Sequence, residues 1–274
     1  MNVELAQITG RDGDTAYNLA RALGVIETCA SETQLLVLPE TYLTGFPTKA
    51  NVAQIAEPLD GPSLKAICQA AKKKCLSVAV GLAENDGGRF YNTTVLITPD
   101  QGIVLHYRKT HLWSGERDVF EPGDRMVTGM WNGLRVGLLI CYDIEFPETA
   151  RALGQLGVEL LIVTNGNFDP YGPNHRTCIM ARALENQAFA IMVNRVGPSD
   201  DGLVFAGGSA VVNPFGDLLV EAGREEARIR MSLDTSLLAK ARIPYIYGND
   251  QRMRLNGQLR EDGERRELII TKYQ

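Results

Sequence analysis

The sequence predicts one α/β domain, and three observations support this prediction. Apolar runs with strand character alternate along the chain with segments of helical periodicity. Two of these runs are apolar almost throughout, which is typical of strands that are buried on both faces of a sheet. The 274 residues contain no shift in composition and no Pro/Gly-rich linker at which the chain would divide. We therefore expect a single domain over residues 1–274 with a mixed sheet system, ending in a polar tail from about residue 249.

In the first half of the chain, predicted strands and helices follow one another. Asp14–Ala30 has the periodicity of a helix, and Pro62–Lys74 predicts a second helix that is opened by its proline. A hairpin-like turn is expected at Asn85-Asp86-Gly87-Gly88. The predicted strands are Val3–Ile8, Leu35–Leu38, Ser77–Gly81, Tyr91–Thr98 and Ile103–Arg108.

The second half of the chain repeats this alternation. Helices are predicted at Pro147–Leu156, His175–Gln187 and Thr235–Arg242. The predicted strands are Leu134–Ile140, Glu159–Thr164, Phe189–Arg195, Gly208–Asn213, Asp217–Glu221 and Ala227–Ser232.

Composition argues against several classes of protein. A net charge of −5, with both signs mixed along the chain, gives no basic surface for nucleic acid. Five cysteines without a CxxC pair, together with only three histidines, argue against a disulfide framework and a structural zinc site. The N-terminus MNVELAQITG lacks the pattern of a signal peptide, and no apolar run approaches the ~20 residues that span a bilayer. We therefore expect a soluble cytoplasmic protein without a membrane or nucleic-acid partner.

Three strand-like runs end directly in a reactive side chain. Leu35–Pro39 is followed by Glu40, Ile103–Arg108 by Lys109, and Leu134–Ile140 by Cys141. Ligands bind beyond the carboxyl ends of parallel strands, so neighbouring strands would bring a carboxylate, an ammonium and a thiol to one rim. Such a set can break an amide bond, and we expect no metal and no organic cofactor.

Cys141 has the position of a nucleophile on a strand-to-helix turn. Its strand runs directly into the cysteine, a short turn follows, and Pro147 opens the next helix. The alternative is a buried structural cysteine, which is the commonest fate of a free cysteine. The remaining cysteines, none of which ends a buried strand, are expected to be structural: Cys29, Cys68, Cys75 and Cys178.

The sequence leaves more than one candidate for the base that takes the thiol proton. His106, His111 and His175 are all possible on sequence grounds. Glu40 is at least as well placed, because burial at a strand end raises the pKa of a carboxyl group toward neutrality. Lys109 can stabilise an oxyanion, or it can form an ordinary ion pair with Glu40.

These residues resemble the conserved blocks of the nitrilase superfamily of carbon–nitrogen hydrolases. LLVLPETYLTGF, YRKTHLW and GLLICYDIEFPE are similar to its glutamate, lysine and cysteine blocks, and GERDVFEPGD is similar to the region of a second glutamate. The resemblance implies a four-layer αββα sandwich with subunits that commonly pair, hence a homodimer or higher homo-oligomer. It implies Glu40 as general base, Lys109 as oxyanion-stabilising cation and Cys141 as nucleophile. It also implies Glu116 as a second catalytic glutamate, which helps Glu40 to activate water.

Further residues are expected around the substrate. Tyr42 and Phe146 are predicted to wall the pocket, and the segment Asn165-Gly166-Asn167-Phe168 follows a strand at the same rim. Tyr142 is expected to supply a backbone N–H for the oxyanion. It stands where nitrilases usually carry a tryptophan, and in view of the resemblance this favours an amide over a nitrile. The predicted substrate-binding residues are Tyr42, Tyr142, Phe146, Asn165, Asn167 and Phe168.

The predicted function is a cysteine-dependent amidase that hydrolyses small carboxamides through a thioester. Asp143 and Glu145 could meet an amine on the substrate, although capping and solvated positions are their simpler roles. An N-carbamoyl hydrolase is the first alternative, and it would need an arginine such as Arg176 or Arg195 in the pocket. A non-catalytic binding protein on the same fold and a histidine-based cysteine peptidase are the others.

Overall fold

The structure is a computed structural model that describes residues 1–200, 202–243 and 245–271. The helices, in chain order, are α1 Thr15–Glu27, α2 Val52–Ile55, α3 Pro62–Lys74, α4 Pro147–Gln155, α5 Gly172–Asn186, α6 Ser236–Ala241 and α7 Tyr247–Asp250. The strands are β1 Asn2–Gln7, β2 Leu35–Val37, β3 Ser77–Asp86, β4 Arg89–Thr98, β5 Gly102–Arg108, β6 Arg125–Trp131, β7 Leu134–Ile140, β8 Leu160–Thr164, β9 Phe189–Val193, β10 Val196–Pro198, β11 Val204–Ala206, β12 Ala210–Val212, β13 Leu218–Glu221, β14 Ala227–Ser232, β15 Gly257–Asp262 and β16 Arg265–Ile270.

Within the described residues, the strands form two large sheets and one short ribbon. The first sheet has the order β14-β1-β2-β3-β4-β5, and the second has the order β13-β12-β9-β8-β7-β6-β16-β15. Parallel pairing joins β1, β2 and β3 in the first sheet and β7, β8 and β9 in the second. Strands β10 and β11 form an antiparallel ribbon, and Phe205 of β11 also makes an isolated bridge with Phe168.

Apolar burial arranges these sheets as the two inner layers of an αββα sandwich. One core cluster joins the first sheet to the second sheet and to α4 and α5, through residues such as Leu105, Leu138 and Ile179. A second cluster packs the other face of the first sheet against α1 and α3, through residues such as Ile26 and Val80. Strands such as β2, β8 and β9 are buried at every residue, and their sequences are accordingly apolar almost throughout. The predicted four-layer sandwich is confirmed.

Local sequence signals account for several element boundaries. The Asp14 carboxylate accepts a hydrogen bond from Tyr17 N at 3.0 Å and caps α1. Gly87 and Gly88 both have positive φ (61° and 89°), which suits the two-residue turn between β3 and β4. The hairpin that the sequence predicts at this position is therefore present, with both strands longer than expected.

The C-terminal segment has more structure than the sequence suggests. The sequence predicts a polar tail from about residue 249, but this segment contains the hairpin β15–β16. Strand β16 pairs antiparallel with β6 and thereby extends the second sheet. Strand β15 is exposed along its whole length, so it carries no apolar alternation for a sequence to reveal. The sequence analysis also does not predict strands β6, β10 and β11. No helix among the described residues is long and apolar enough to cross a membrane.

The three strands with reactive ends do not neighbour each other in one sheet. β2 and β5 belong to the first sheet with β3 and β4 between them, whereas β7 belongs to the second. The expectation of one shared rim is therefore wrong in its geometry. The reactive residues instead meet between the facing sheets, because the two sheets place the relevant strand ends on the same side of the sandwich.

Candidate active site

Cys141 lies on a tight turn directly after β7. Its φ is +45°, a left-handed conformation that costs a non-glycine residue roughly 1–2 kcal/mol. A 3₁₀ turn spans Cys141–Glu145, and Pro147 then opens α4. The predicted strand–turn–helix setting is therefore present, with the thiol half-buried on the wall of a cavity.

Asp143 fixes the shape of this turn from inside the protein. Its Oδ2 accepts hydrogen bonds from Ile140 N at 3.2 Å and from the Tyr107 hydroxyl at 2.9 Å. Its Oδ1 accepts from the Thr110 hydroxyl and from His111 N, both at 2.9 Å. Asp143 is fully buried and both its oxygens are occupied, so it has no oxygen left for a substrate amine, contrary to the suggestion from the sequence.

Glu40 follows β2 in a segment whose backbone packs tightly against the backbone of β3. Thr41, the next residue, has φ +43°, and a Cβ at Gly81 would lie 2.3 Å from Thr41 N. Only glycine at position 81 permits this close approach of the two chains. Glu40 N donates to Asn165 O at 3.3 Å. This hydrogen bond links the backbone of Glu40 to the segment directly after β8 of the second sheet.

A closed hydrogen-bond cluster surrounds the ammonium group of Lys109. Lys109 Nζ donates to Glu40 Oε1 and to Glu116 Oε2, both at 2.7 Å. Asn92 Nδ2 bridges the same two carboxylates, at 2.8 Å to Glu40 Oε1 and 2.7 Å to Glu116 Oε1. All four side chains are buried, whereas Glu40 Oε2 has no hydrogen-bond partner among the described residues. The cluster thus holds one oxygen of Glu40 and leaves the other available.

Burial and neighbouring charges shift the proton affinities of this cluster. Burial raises the pKa of the Cys141 thiol well above its ordinary value; the Glu40 charge adds to this, and Lys109 opposes it. Burial also raises the pKa of Glu40, which Lys109 opposes and Glu116 reinforces. Burial alone would lower the pKa of Lys109, but the Glu116 and Glu40 carboxylates hold it well above its ordinary value. The resting site therefore holds a neutral thiol, a fixed cation and a carboxylate with raised proton affinity.

A cavity of about 650 Å³ contains these groups. Glu40, Lys109, Glu116 and Cys141 all line it. Much of the remaining wall is aromatic, and its rings are those of Phe46, Trp113, Phe120, Tyr142, Phe168, Tyr171 and Phe205. The sequence-predicted residues Tyr142, Asn167 and Phe168 thus lie on this wall. A cavity of this size suits a small organic substrate.

Three residues predicted to bind substrate do not line this cavity. Tyr42 is buried in the core between the first sheet and helices α1 and α3, where its hydroxyl donates to Thr9 O at 3.0 Å. Phe146 stacks on the His111 ring with centroids 4.0 Å apart, behind the nucleophile turn. Asn165 is completely buried and contacts Glu40 through its backbone. A sequence gives each residue's place along the chain, whereas the direction of its side chain depends on the local turn.

The three histidines lie in different surroundings, and of them His175 lines the cavity. His106 lies within β5, where burial and the nearby Arg265 charge lower its pKa. His111 Nδ1 lies 3.1 Å from Asp143 Oδ1, and His175 Nε2 lies 3.0 Å from Glu145 Oε1. The charged groups with the largest influence on the pKa of Cys141 are Glu40, Lys109 and Glu116.

Two features of the site are not anticipated by the sequence. Asn92 lies inside the apolar run of β4, and its contacts with Glu40 and Glu116 span 52 and 24 residues. The pair of Glu145 and His175 lies on the cavity wall and joins the nucleophile turn to α5. The one sequence signal for Asn92 is an amide side chain inside an otherwise buried strand. No group of three or more potential ligands arranged for a metal ion occurs within the residues that the structure describes.

Comparisons with known proteins agree with this site. A sequence profile of the carbon–nitrogen hydrolase family matches residues 2–242, and the chain belongs to this family. It is a hydrolase of carbon–nitrogen bonds, a cysteine-dependent amidase. The chain is 61% identical over 272 residues to an (R)-stereoselective amidase from a Pseudomonas species, with 98% of each chain covered.

Two solved structures show the same fold. One is a CN-hydrolase superfamily protein from Xanthomonas campestris, with a TM-score of 0.87, 26% identity, and coverage of 94% of this chain and 99% of that chain. The other is an amidase from Nesterenkonia sp. AN1, with a TM-score of 0.81, 27% identity, and coverage of 92% and 94%. In a variant of that amidase, the acetamide moiety of fluoroacetamide is covalently added at the active-site cysteine.

Proposed function

We propose that Cys141, Glu40 and Lys109 carry out the amidase reaction on small carboxamides, with Glu116 in support. One observation carries this proposal: Glu40 Oε2 is unpartnered beside the cavity that Cys141 lines, while Lys109 holds Oε1. A base that shares the cavity of the nucleophile and keeps one free oxygen can take the thiol proton.

In the acylation step, Glu40 accepts the thiol proton as Cys141 Sγ forms a bond to the amide carbon. The raised pKa of Cys141 means that this proton leaves during the attack, because the resting group is a thiol. Lys109 and the backbone N–H of Tyr142 stabilise the oxyanion, and each such donor is worth roughly 10²–10³-fold in rate. Glu40 then returns the proton to the leaving nitrogen, so that the C–N bond breaks and ammonia departs.

In the deacylation step, Glu40 takes a proton from water as the water oxygen attacks the thioester carbon. The C–S bond breaks, the carboxylic acid leaves, and the proton returns to Cys141. Glu116 keeps Lys109 in place through both steps, because it binds the same ammonium group at 2.7 Å. Glu116 therefore acts as a positioning residue for the cation.

We further propose that uncharged and amine-bearing carboxamides are better substrates than N-carbamoyl amino acids or nitriles. A carbamoyl amino acid brings a carboxylate, and burying it without a partner would be costly. Arg195 is 1% exposed and binds Asp12 at 2.7 Å, and Arg176 binds Glu221; neither lines the cavity. Lys49 and Lys109 are the cationic side chains among the described residues that line the cavity. Lys49 is exposed to solvent, where screening weakens its attraction for a carboxylate, and Lys109 is engaged by the two glutamates.

Ammonia release from a matched set of substrates tests this proposal. An amino-acid amide, the corresponding nitrile and the N-carbamoyl amino acid should be compared by kcat/KM under one set of conditions. We expect the amide to be best, and the (R)-enantiomer to be preferred as the name of the 61% identical relative indicates. A carbamoyl compound or a nitrile that is turned over fastest would contradict the proposed substrate class.

We also propose that the protein is a cytoplasmic homodimer or higher homo-oligomer. Its cysteines are unpaired, which suits a reducing compartment. Large apolar side chains are exposed near the C-terminus, and Met253 is 84% exposed. The group consists of Ile243, Tyr245, Ile246, Tyr247, Met253 and Leu259. Light scattering should find more than one chain per particle, and a monomer at micromolar concentration would contradict this.

A further inference from the structure

Glu145 differs from the other acidic residues near the nucleophile in having an accessible carboxylate. Glu40 and Glu116 are held by Lys109, and Asp143 is fully buried with both oxygens occupied. The Glu145 side chain lines the cavity and is 34% exposed. Its Oε1 contacts His175, and no hydrogen bond within the described residues occupies Oε2.

The backbone of Glu145 is fixed relative to Cys141. Both residues belong to one 3₁₀ turn. Arg182, which is buried on α5, donates from Nε to Ile144 O at 2.9 Å and from Nη2 to Glu145 O at 3.3 Å. A carboxylate held four residues beyond the nucleophile on a clamped turn keeps a constant distance from the reacting carbon. Such a fixed position is what orienting a substrate requires.

His175 holds the Glu145 side chain at the cavity wall. It is 2% exposed, its Nε2 lies 3.0 Å from Glu145 Oε1, and its Nδ1 has no partner among the described residues. In the tautomer with its proton on Nε2, His175 donates to Glu145 Oε1, and the carboxylate charge stays accessible from the cavity through Oε2. The other acidic wall residues differ: Asp12 binds Arg195, while Asp118 and Asp200 are exposed to solvent, where screening weakens their effect.

We propose that Glu145 is a specificity-determining residue that binds a substrate ammonium group beside the scissile carboxamide. This inference rests on the proposed amidase function and names the residue that selects among amides. A substrate held by its carboxamide at Cys141 and by its ammonium at Glu145 has two points fixed. Its remaining substituent then meets the aromatic wall of Trp113, Phe168 and Tyr171. Three distinct contacts of this kind are sufficient to distinguish the two enantiomers of an amino amide.

Alaninamide and isobutyramide form a suitable substrate pair, since they differ by an ammonium group in place of a methyl group. In Glu145→Gln, which keeps an acceptor for His175, the kcat/KM ratio of alaninamide to isobutyramide should fall about 10- to 100-fold, mainly through KM. Glu145→Lys should shift preference toward malonamate, which carries a carboxylate. The control is Glu148→Gln, an exposed residue of α4 outside the cavity, for which the ratio should not change.

The possible outcomes separate this inference from the proposed function. An equal fall for both amides in Glu145→Gln, or an unchanged ratio, would overturn the role of Glu145 while leaving the amidase intact. A wild-type protein that releases ammonia from neither amide would instead contradict the proposed function. If Glu145→Gln does not fold, isopropylammonium should inhibit wild-type isobutyramide hydrolysis at a lower concentration than 2-propanol does. Equal inhibition by the two compounds would overturn the inference.

Discussion

Two glutamate–cysteine pairs among the described residues differ in their surroundings: Glu4 with Cys29, and Glu40 with Cys141. In the first pair, Cys29 Sγ donates to Glu4 Oε2 at 3.0 Å beneath α1. In the second pair, Glu40 and Cys141 line the aromatic cavity between the sheets. Both glutamates are 0% exposed, so burial alone does not distinguish them.

The two glutamates differ in how their oxygens and charges are satisfied. Glu4 accepts from Arg228 Nε at 2.6 Å on Oε1 and from Cys29 and Thr33 on Oε2, with Arg230 also within ion-pair distance. Burial alone would raise the pKa of Glu4, but the Cys29 hydrogen bond and the Arg228 charge lower it. Glu40 instead shares a single lysine with a second carboxylate, and its pKa is raised.

This difference shows what converts a buried glutamate into a base. Glu4 has two arginines and no unpartnered oxygen, so it is a stable anion that holds strands together. Glu40 shares the Lys109 ammonium group with Glu116, and one of its oxygens has no hydrogen-bond partner among the described residues. It can therefore accept a proton. Burial and the neighbouring glutamate raise the pKa of both thiols, that of Cys29 to about 11. The two pairs therefore differ in the glutamate and not in the thiol, because Glu4 has a lowered pKa and is a poor proton acceptor. Each of the following predictions tests one part of this contrast.

The largest expected effect comes from removing the nucleophile. Cys141→Ala and Cys141→Ser should reduce turnover by a factor on the order of 10⁴ or more while the protein stays folded. Cys29→Ala should retain turnover and lose stability instead, because it removes a buried thiol. Ammonia release and thermal unfolding of the three variants check this. Turnover that survives in Cys141→Ala would refute the assignment.

The matched glutamate variants should separate catalysis from stability. Glu40→Gln should lower kcat about 10²- to 10⁴-fold, since it removes the base. Glu4→Gln should leave kcat within about twofold and lower the free energy of unfolding by about 1–3 kcal/mol, since it leaves the Arg228 charge unpaired. Steady-state kinetics and urea unfolding measure the two effects. If Glu4→Gln loses as much kcat as Glu40→Gln, the contrast between the two pairs does not hold.

The pH dependence of kcat/KM tests whether sharing Lys109 with Glu116 sets the pKa of Glu40. Glu40 acts as a base only when it is deprotonated, so kcat/KM should fall as the pH drops through its raised pKa. Glu116→Gln removes a charge that raises this pKa, and it leaves Lys109 to Glu40 alone. Both changes lower the pKa of Glu40, so the acidic limb of the profile should move to lower pH. The same limb should not move in Glu4→Gln. A limb that moves to higher pH in Glu116→Gln would contradict this electrostatic account.

The smallest effects are expected at the histidines, since the structure shows none of them paired with Glu4 or Glu40 among the described residues. His106→Gln, His111→Gln and His175→Gln should each keep turnover of a neutral amide within about tenfold of wild type, because none of them supplies the base. The same ammonia assay measures them beside Glu40→Gln. A histidine variant as inactive as Glu40→Gln would favour a histidine-based mechanism.

The sequence predicts that Glu40, Lys109 and Cys141 lie close together, and the structure places all three on one cavity wall, whereas their neighbours are less well predicted. Glu40, Lys109 and Cys141 follow apolar strands directly, and strand ends are readable from composition. The sequence does not reveal that β7 belongs to a different sheet from β2 and β5, because sheet partners are set by long-range packing. Asn92 is hidden for the same reason, since its two carboxylate partners come from distant parts of the chain.

The direction in which a side chain points is the second property that the sequence does not predict. Asp143 and Glu145 are two residues apart in one turn, yet Asp143 is fully buried and Glu145 is 34% exposed in the cavity. The 3₁₀ turn and the left-handed Cys141 determine this difference, and neither has a sequence signature. The exposed strand β15 is missed because an edge strand without an apolar face carries no period of two.

Mass spectrometry of the intact protein with a slowly hydrolysed amide tests the central claim most directly, since a thioester must form on one particular cysteine. The wild type should acquire the mass of one acyl group, and peptide mapping should locate that group on Cys141. The adduct should be absent from Cys141→Ala, and Cys29→Ala should still form it. An acyl group found on Cys29 or Cys178, or turnover that proceeds without any covalent adduct, would contradict the proposed role of Cys141.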